Sequence, residues 1–465
     1  MMIRALTGIA TAACCLASAG GCASLPDTQF LSHRYATQAA RFENAWGPLS
    51  AKRSAAIVTD LKRNAGDTAL LDKQIALEQA IGGSPLVVGN EVRLLQDGPA
   101  TYQAMFAAMA AAKDHINLET FGIDDSDVGR QFADALIAQQ SRGVQVNLIY
   151  DSVGALGTPS TYFDRLRVAG IRVLEFNPVN PLSTRKPWAL NHRDHRKLLI
   201  VDGRMAFLGG INISSVYSSG SSGGHRSEST DDAGATRGWR DTDVQISGPI
   251  VAQFQKLFLQ TWNTQNGKPL AELHYFPQLL SQGPEIVRAV GSTPDDPFSL
   301  IYLMLIAAIG NAEQRVYLTN AYFVPDPQLV DALVDAAKRG VDVRMILPGR
   351  SDSALAFYAG RSHYADLLEA GVKIYERRGA LLHAKTAIVD GVWSCVGSSN
   401  LDWRSALDND EINAVVLGQT FAQRMESAFA EDMAASDEIG REGWKHRSIL
   451  LRVKEWTARL WAHLL

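Results

Sequence analysis

One phrase occurs twice in this chain. His195-x-Lys197, four residues, Asp202, then Gly209-Gly210-x-Asn212 returns as His383-x-Lys385, four residues, Asp390, then Gly397-Ser398-x-Asn400. A lone His-x-Lys is common on solvated strand edges, but two copies with one internal spacing mark a duplication. The repetition extends beyond the motifs. Ser141-Arg142-Gly143-Val144-Gln145-Val146 corresponds to Lys338-Arg339-Gly340-Val341-Asp342-Val343, and Leu166 to Val173 corresponds to Leu367 to Ile374. In each pair a glycine follows a helix-like run and precedes a β-branched strand, as suits a helix stop at positive φ.

Helix and strand therefore alternate, which predicts an α/β fold of two tandem domains related by pseudo-twofold symmetry. Each domain should be a mixed, mostly parallel sheet flanked by helices. The 465 residues, 46% of them hydrophobic, are enough for two such cores. The expected domains are 88–266 and 284–436, joined by a linker at 267–283 with two prolines and two glycines. The Ser- and Gly-rich stretch 218–238 interrupts the match and reads as a surface insertion.

The ends carry separate information. Residues 1–21 have one early cation, Arg4, then small apolar residues, then Ala19-Gly20-Gly21-Cys22, the pattern of a bacterial lipoprotein signal with Cys22 as the acylated residue. The expected location is the cell envelope, lipid-anchored to a membrane and facing the periplasm. Cys14 and Cys15 would leave with the signal, so Cys395 is expected as a free buried thiol rather than half of a disulfide. The longest apolar run, Leu300 to Ile309, is about half of the roughly 20 residues a spanning helix needs, and reads as a packed helix. Residues 22–87 are rich in helix formers. Residues 437–465 mix Lys, Arg and Trp on an expected amphipathic helix suited either to an anionic membrane surface or to packing on the domains.

The residue types suit the phosphodiester chemistry that the resemblance given below implies. In an extended strand, residues two apart point to one face, so each His and Lys reach one pocket. A phosphodiester is cleaved readily when a neutral nucleophile attacks phosphorus, cations hold the non-bridging oxygens and an acid protonates the departing alcohol. Histidine suits the first and third roles, because its pKa lies near neutrality. Each repeat supplies one histidine, so facing repeats would supply both, with Lys197, Lys385, Asn212 and Asn400 on the same phosphate; Ser398 belongs to the second motif. A further carboxylate should orient each ring from the next strand. Aligning Gly248 with Gly418 sets Asp241 opposite Glu411 as candidates. No metal or other cofactor is needed, since the histidines lack zinc-ligand spacing.

The duplicated motif resembles that of the phospholipase D superfamily. The resemblance implies a phosphohistidine on one ring, while the other acts as acid and then base. Both assignments fit the sequence; relatives usually place the nucleophile in the first motif, which implies His195 as nucleophile and His383 as acid and base. It implies that Asp241 and Glu411 partner the histidines, and that Asp202 and Asp390 hold strands behind the site. Residue 243 is Asp where similar sequences often carry His. A finer resemblance, over about 89–432, is to bacterial cardiolipin synthases. It rests on Asn191-His192-Arg193-Asp194-His195-Arg196-Lys197, Tyr322-Phe323-Val324-Pro325 and Gly397-Ser398-Ser399-Asn400-Leu401-Asp402-Trp403-Arg404-Ser405. That implies transfer of a phosphatidyl group to phosphatidylglycerol, from a second phosphatidylglycerol or from phosphatidylethanolamine, at a membrane surface and with one chain as the catalytic unit. The alternatives are hydrolysis to phosphatidic acid, a nuclease, and an inactive lipid-binding lipoprotein. A net charge of −4 and a pI near 6.2 argue against a broad nucleic-acid surface.

Overall fold

In the computed structural model the described residues are 40–65, 70–81, 84–180, 191–221, 238–296 and 299–465. The expected signal, Cys22 and positions 222–237 of the insertion lie outside them.

Each repeat runs helix, strand, helix, strand, helix, strand, and then a β-hairpin that carries the motif. In the first, the helices Asp97–Ala110, Asp127–Ser141 and Ser160–Val168 alternate with the strands His115–Thr120, Gln145–Asp151 and Arg172–Phe176. In the second, Leu300–Asn311 and Pro327–Lys338 alternate with Arg315–Asn320 and Asp342–Pro348; the shorter helices Ala354–Arg361 and Tyr364–Ala370 then lead to Lys373–Arg377. The matched glycines stop these helices alike: Gly143 and Gly340 both have φ +92°, while Gly170 has +91° and Gly371 +100°. All four lie where a Cβ would be strained.

The sheets are mixed, and their parallel part is smaller than the alternation alone suggests. Within each repeat the three crossover strands pair in parallel. Within each repeat the hairpins Lys197–Val201/Met205–Gly209 and Lys385–Val389/Trp393–Gly397, and the strands Thr242–Ser247 and Asn409–Leu417 that follow, pair antiparallel. The physical reason is the short turn after each motif strand, which can return the chain only antiparallel. The strands that open the repeats, Leu86–Gln96 and Glu285–Ser292, run antiparallel to each other, as a twofold relation requires, and join the two sheets.

Helices Val251–Thr264 and Gln419–Ala434 bury Phe254, Phe258, Phe421 and Met425 in one apolar cluster with Val244, Ile246, Ala414 and Val416 of both sheets. Burial of each such phenylalanine contributes about 1.5–3 kcal/mol, so this shared core fixes the halves against each other. The run Leu300 to Ile309 is a packed helix, buried from Ile301 to Ile309. Ahead of the repeats, helix Leu70–Ile81 is tied to the second sheet through buried Glu78, which accepts from Trp393 Nε1 at 2.8 Å and pairs with Arg288 at 3.2 Å. Cys395 is free and buried. No helix among the described residues is long and apolar enough to cross a membrane.

Candidate active site

The segment ahead of each motif strand crosses to the other repeat. Arg193 and Asp194 pair in parallel with Asn409 and Asp410, and the His195 N–H donates to the Asp410 carbonyl at 2.9 Å. In the same way Leu382 bridges Arg240, and the His383 N–H donates to the Arg240 carbonyl at 2.7 Å. The next residue on each receiving strand is the acid. Glu411 accepts from His195 Nδ1 at 3.0 and 3.1 Å, and Asp241 accepts from His383 Nδ1 at 2.7 Å. The aligned acids thus meet histidines in crossed order, each ring held by the opposite repeat. The expectation of a partner on the next strand is corrected here. That strand carries its acid across the twofold, because the neighbouring His-bearing segment there comes from the other half.

A carboxylate at Nδ1 fixes the tautomer and leaves Nε2 as the nitrogen for chemistry. Glu411 is further held by the hydroxyls of Ser398 and of Ser405, the latter at 2.7 Å. Lys197 Nζ donates to the His195 carbonyl at 2.6 Å, and Lys385 Nζ donates to that of His383 and lies 3.0 Å from its Nδ1. The two motifs meet through Tyr217, whose hydroxyl accepts from Asn212 Nδ2 at 3.3 Å and sits 3.3 Å from His383 Nδ1. Asn212 Oδ1 accepts from the Gly122 N–H at 3.0 Å. The Asn400 N–H donates to Ser405 Oγ at 3.1 Å, while its buried Oδ1 meets no donor among the described residues.

Burial governs the charges. It pushes the His195 ring down to about 4; Glu411 pulls back, but Lys197 and Lys385 add to the fall. His383 is likewise lowered by burial and Lys385 to about 4, against the pull of Asp241. Both rings are neutral at pH 7. Burial raises the Glu411 carboxyl, but His195, Lys197 and the Ser398 hydroxyl outweigh it and hold it at about 2. The ammonium groups are lowered by burial, Lys197 to about 7 and Lys385 to about 8. An anionic phosphodiester between them would restore both charges.

Asp202 and Asp390 lie behind the site. Both take positive φ, 54° and 50°. The Asp202 carboxylate accepts from the backbone N–H groups of Lys113, Asp114 and His115, and that of Asp390 from Glu313, Gln314 and Arg315. Each carboxylate caps the turn into the first crossover strand of its own repeat, His115–Thr120 or Arg315–Asn320. The sequence reading missed the aromatic wall: Phe121 lies 5.1 Å from the His195 ring, and Trp239, Tyr217 and Tyr322 lie 5.2, 5.9 and 6.1 Å from that of His383. Tyr322 opens the stretch Tyr322-Phe323-Val324-Pro325 quoted for the resemblance, and Trp239 lies two residues before Asp241. Tyr217 had no signal except its place five residues after Asn212.

The arrangement gathers two imidazoles, two lysines and two amides from both motifs in one region. A family model described as "Cardiolipin synthase, PLD-like domain" matches residues 105–219 and 305–433. A cardiolipin synthase of Alkalihalophilus pseudofirmus is 33% identical over 438 residues, covering 93% of this chain and 83% of that protein. Cardiolipin synthase A of Pseudomonas putida is 34% identical over 368 residues, covering 78% and 72%. The fold is similar to that of phosphatidylserine synthase from Haemophilus influenzae Rd KW20, with a TM-score of 0.60 at 12% identity over 83% of this chain and 99% of the other. With two matched half-domains and relatives that align along most of its length, the chain belongs to the cardiolipin synthase branch of the phospholipase D superfamily.

Proposed function

We propose that this protein is a phosphatidyltransferase that makes cardiolipin from phosphatidylglycerol and a second phospholipid. The carrying observation is the crossed pair of imidazole–carboxylate contacts, His195 to Glu411 and His383 to Asp241, built around Lys197 and Lys385. His195 Nε2 attacks the phosphorus of the donor, the bond to the headgroup oxygen breaks, and a proton from His383 Nε2 passes to the departing alcohol. The phosphate anion offsets the burial that otherwise keeps His383 neutral, so this ring can carry that proton once the donor is bound. His383, now neutral, takes the proton of a glycerol hydroxyl of phosphatidylglycerol. That oxygen attacks phosphorus, the P–N bond breaks and His195 is regenerated. Lys197, Lys385, Asn212 and Asn400 hold the non-bridging oxygens as charge builds. We infer further that Cys22 is acylated and ties the chain to an envelope membrane; a mature N-terminus without added lipid mass would contradict this.

The test is incubation of the purified protein with labelled phosphatidylglycerol, alone and with phosphatidylethanolamine, followed by product analysis. Cardiolipin is expected. Phosphatidic acid without cardiolipin would mean that water is the acceptor, and no product would overturn the enzymatic reading.

A further inference from the structure

Helix Ile449–Arg459 is turned inside out. An amphipathic helix on a folded domain normally directs its apolar stripe inward. Here the residues directed inward are Ala458 and Glu455, buried beside Val324, Ala356 and Ala359 and paired with Arg447 at 2.8 Å respectively. The large apolar side chains face out: Ile449 is 78% exposed, Leu450 66%, Val453 51%, Trp456 64% and Leu460 55%, with Trp461 following at 56%. At about 100° per residue, positions 449, 453, 456 and 460 form one stripe roughly opposite 455 and 458. Arg452 and Arg459 fall on one side of the stripe and Lys454 on the other.

Charge identifies what the stripe meets. Residues 441–465 carry six Lys and Arg against two glutamates, in a chain whose net charge is −4. One of those glutamates is buried on Arg447 and the other pairs with Lys445. An apolar stripe with tryptophan, flanked by Arg452, Lys454 and Arg459, which meet no carboxylate among the described residues, matches the interface of an anionic bilayer.

The helix is also tied to the mouth of the site. The Leu465 carbonyl accepts from the Arg404 N–H at 3.0 Å, within the second motif segment. Ala462 and Leu465 pack in the cluster that includes Tyr322, the ring 6.1 Å from His383. Beside Tyr217, whose ring lies 5.9 Å from that of His383, Val216 is 41% exposed. From the first repeat, Leu156 stands 73% exposed on the loop after Asp151, whose carboxylate accepts from the Asp194 N–H at 2.9 Å.

We propose that helix Ile449–Arg459 docks this protein on the anionic surface of a phospholipid bilayer and presents the site mouth to lipid headgroups. The proposal deepens the lipid-transferase reading and rests on it for the substrate only. Two measurements on the full chain test it. Vesicles of phosphatidylglycerol with brominated acyl chains should quench tryptophan emission, W456F/W461F should lose most of that quench, and brominated phosphatidylcholine vesicles should quench weakly. In parallel, L450D/V453D should slow turnover of phosphatidylglycerol vesicles by about tenfold or more, while turnover of dissolved short-chain phosphatidylglycerol stays within about twofold. Quench unchanged in W456F/W461F, or an equal fall on both substrates in L450D/V453D, would overturn the docking. So would a dimer that L450D/V453D dissociates without change in vesicle quench, since the face would then belong to a second copy. Helix-dependent quench with no turnover of either substrate would leave the docking intact and sink the activity instead.

Discussion

Substitution of Glu411 by Gln examines the crossed pairing at its most exposed consequence. Gln keeps the shape and an acceptor for His195 Nδ1, now 3.0 Å from the carboxylate, but removes a buried negative charge held at about 2. When His195 takes phosphorus at Nε2 its ring becomes positive. Two unit charges about 4 Å apart at an effective dielectric of about 20 attract by about 4 kcal/mol. Gln retains a neutral hydrogen bond, so the loss in the attack step should be about 2–4 kcal/mol, or about 30- to 1,000-fold in rate. D241N should match that loss on natural lipids by a different route, through His383 and the departing alcohol. The assay that separates them is a burst of p-nitrophenol from a phosphatidyl p-nitrophenyl ester, whose leaving group needs no proton. D241N and H383A should recover most of the burst, whereas E411Q and H195A should not. Recovery by E411Q together with failure of D241N would mean that the two histidine roles are exchanged. A loss below about fivefold in folded E411Q would refute the electrostatic reasoning itself.

The free protein should show a bell-shaped pH dependence of kcat/KM. Below about 4 His195 gains a proton and ceases to be a nucleophile; above about 4 the free protein loses the proton that His383 must donate, so kcat/KM declines from there, and an alkaline limb steepens the fall between about 7 and 8, where Lys197 and Lys385 lose charge. K197R should extend the alkaline limb upward, and an unmoved limb would assign it elsewhere. D202A and D390A should each lower stability, measured by urea unfolding, by about 2–4 kcal/mol, because three backbone N–H groups lose one acceptor. Chemistry per folded molecule should change little. Turnover should persist after dialysis against a chelator, and a loss restored by divalent metal would contradict the two-histidine route.

The duplication was legible because both halves keep the same local phrase, and local phrases set hairpins and helix stops: Gly143 and Gly340 reach the same φ for the same reason. Asp241 and Glu411 were legible as a pair by alignment. Their crossing was not, because it is created by a contact between residues 216 positions apart, across a symmetry relation that no local pattern encodes. The small residues of the motifs gain meaning only in that context. A Cβ at Gly210 would run into the Asp241 carboxylate, while the equivalent Ser398 uses its side chain to bond Glu411. The outward stripe on Ile449–Arg459 was open in the sequence for a related reason, since amphipathicity fixes a helix's faces but not which one the fold leaves bare.

Asp243 completes the comparison of the halves. It pairs with Gly209 in the sheet as Asn413 pairs with Gly397, and a Cβ at either glycine would strike that side-chain oxygen. Asn413 is an amide that accepts from Ser399 Oγ at 3.0 Å; Asp243 Oδ1 accepts from the equivalent Ile211 N–H at 3.1 Å, and its Oδ2 meets no donor among the described residues. Burial, with Asp241 nearby, raises the Asp243 carboxyl well above its usual range and so favours the neutral form, which imitates the amide of the other half. The sign of the consequence is fixed. The unfolded chain releases this proton near pH 4 and the folded protein releases it only at higher pH, so this group's contribution to stability falls as pH rises above about 4, by up to about 1.4 kcal/mol per unit until the folded carboxyl ionises too. D243N should remove that loss, leaving activity near normal and raising stability more at pH 8 than at pH 5, as read by urea unfolding at both. A D243N protein equally destabilised at the two pH values would show that the carboxyl is ionised in the fold and is held by a cation instead.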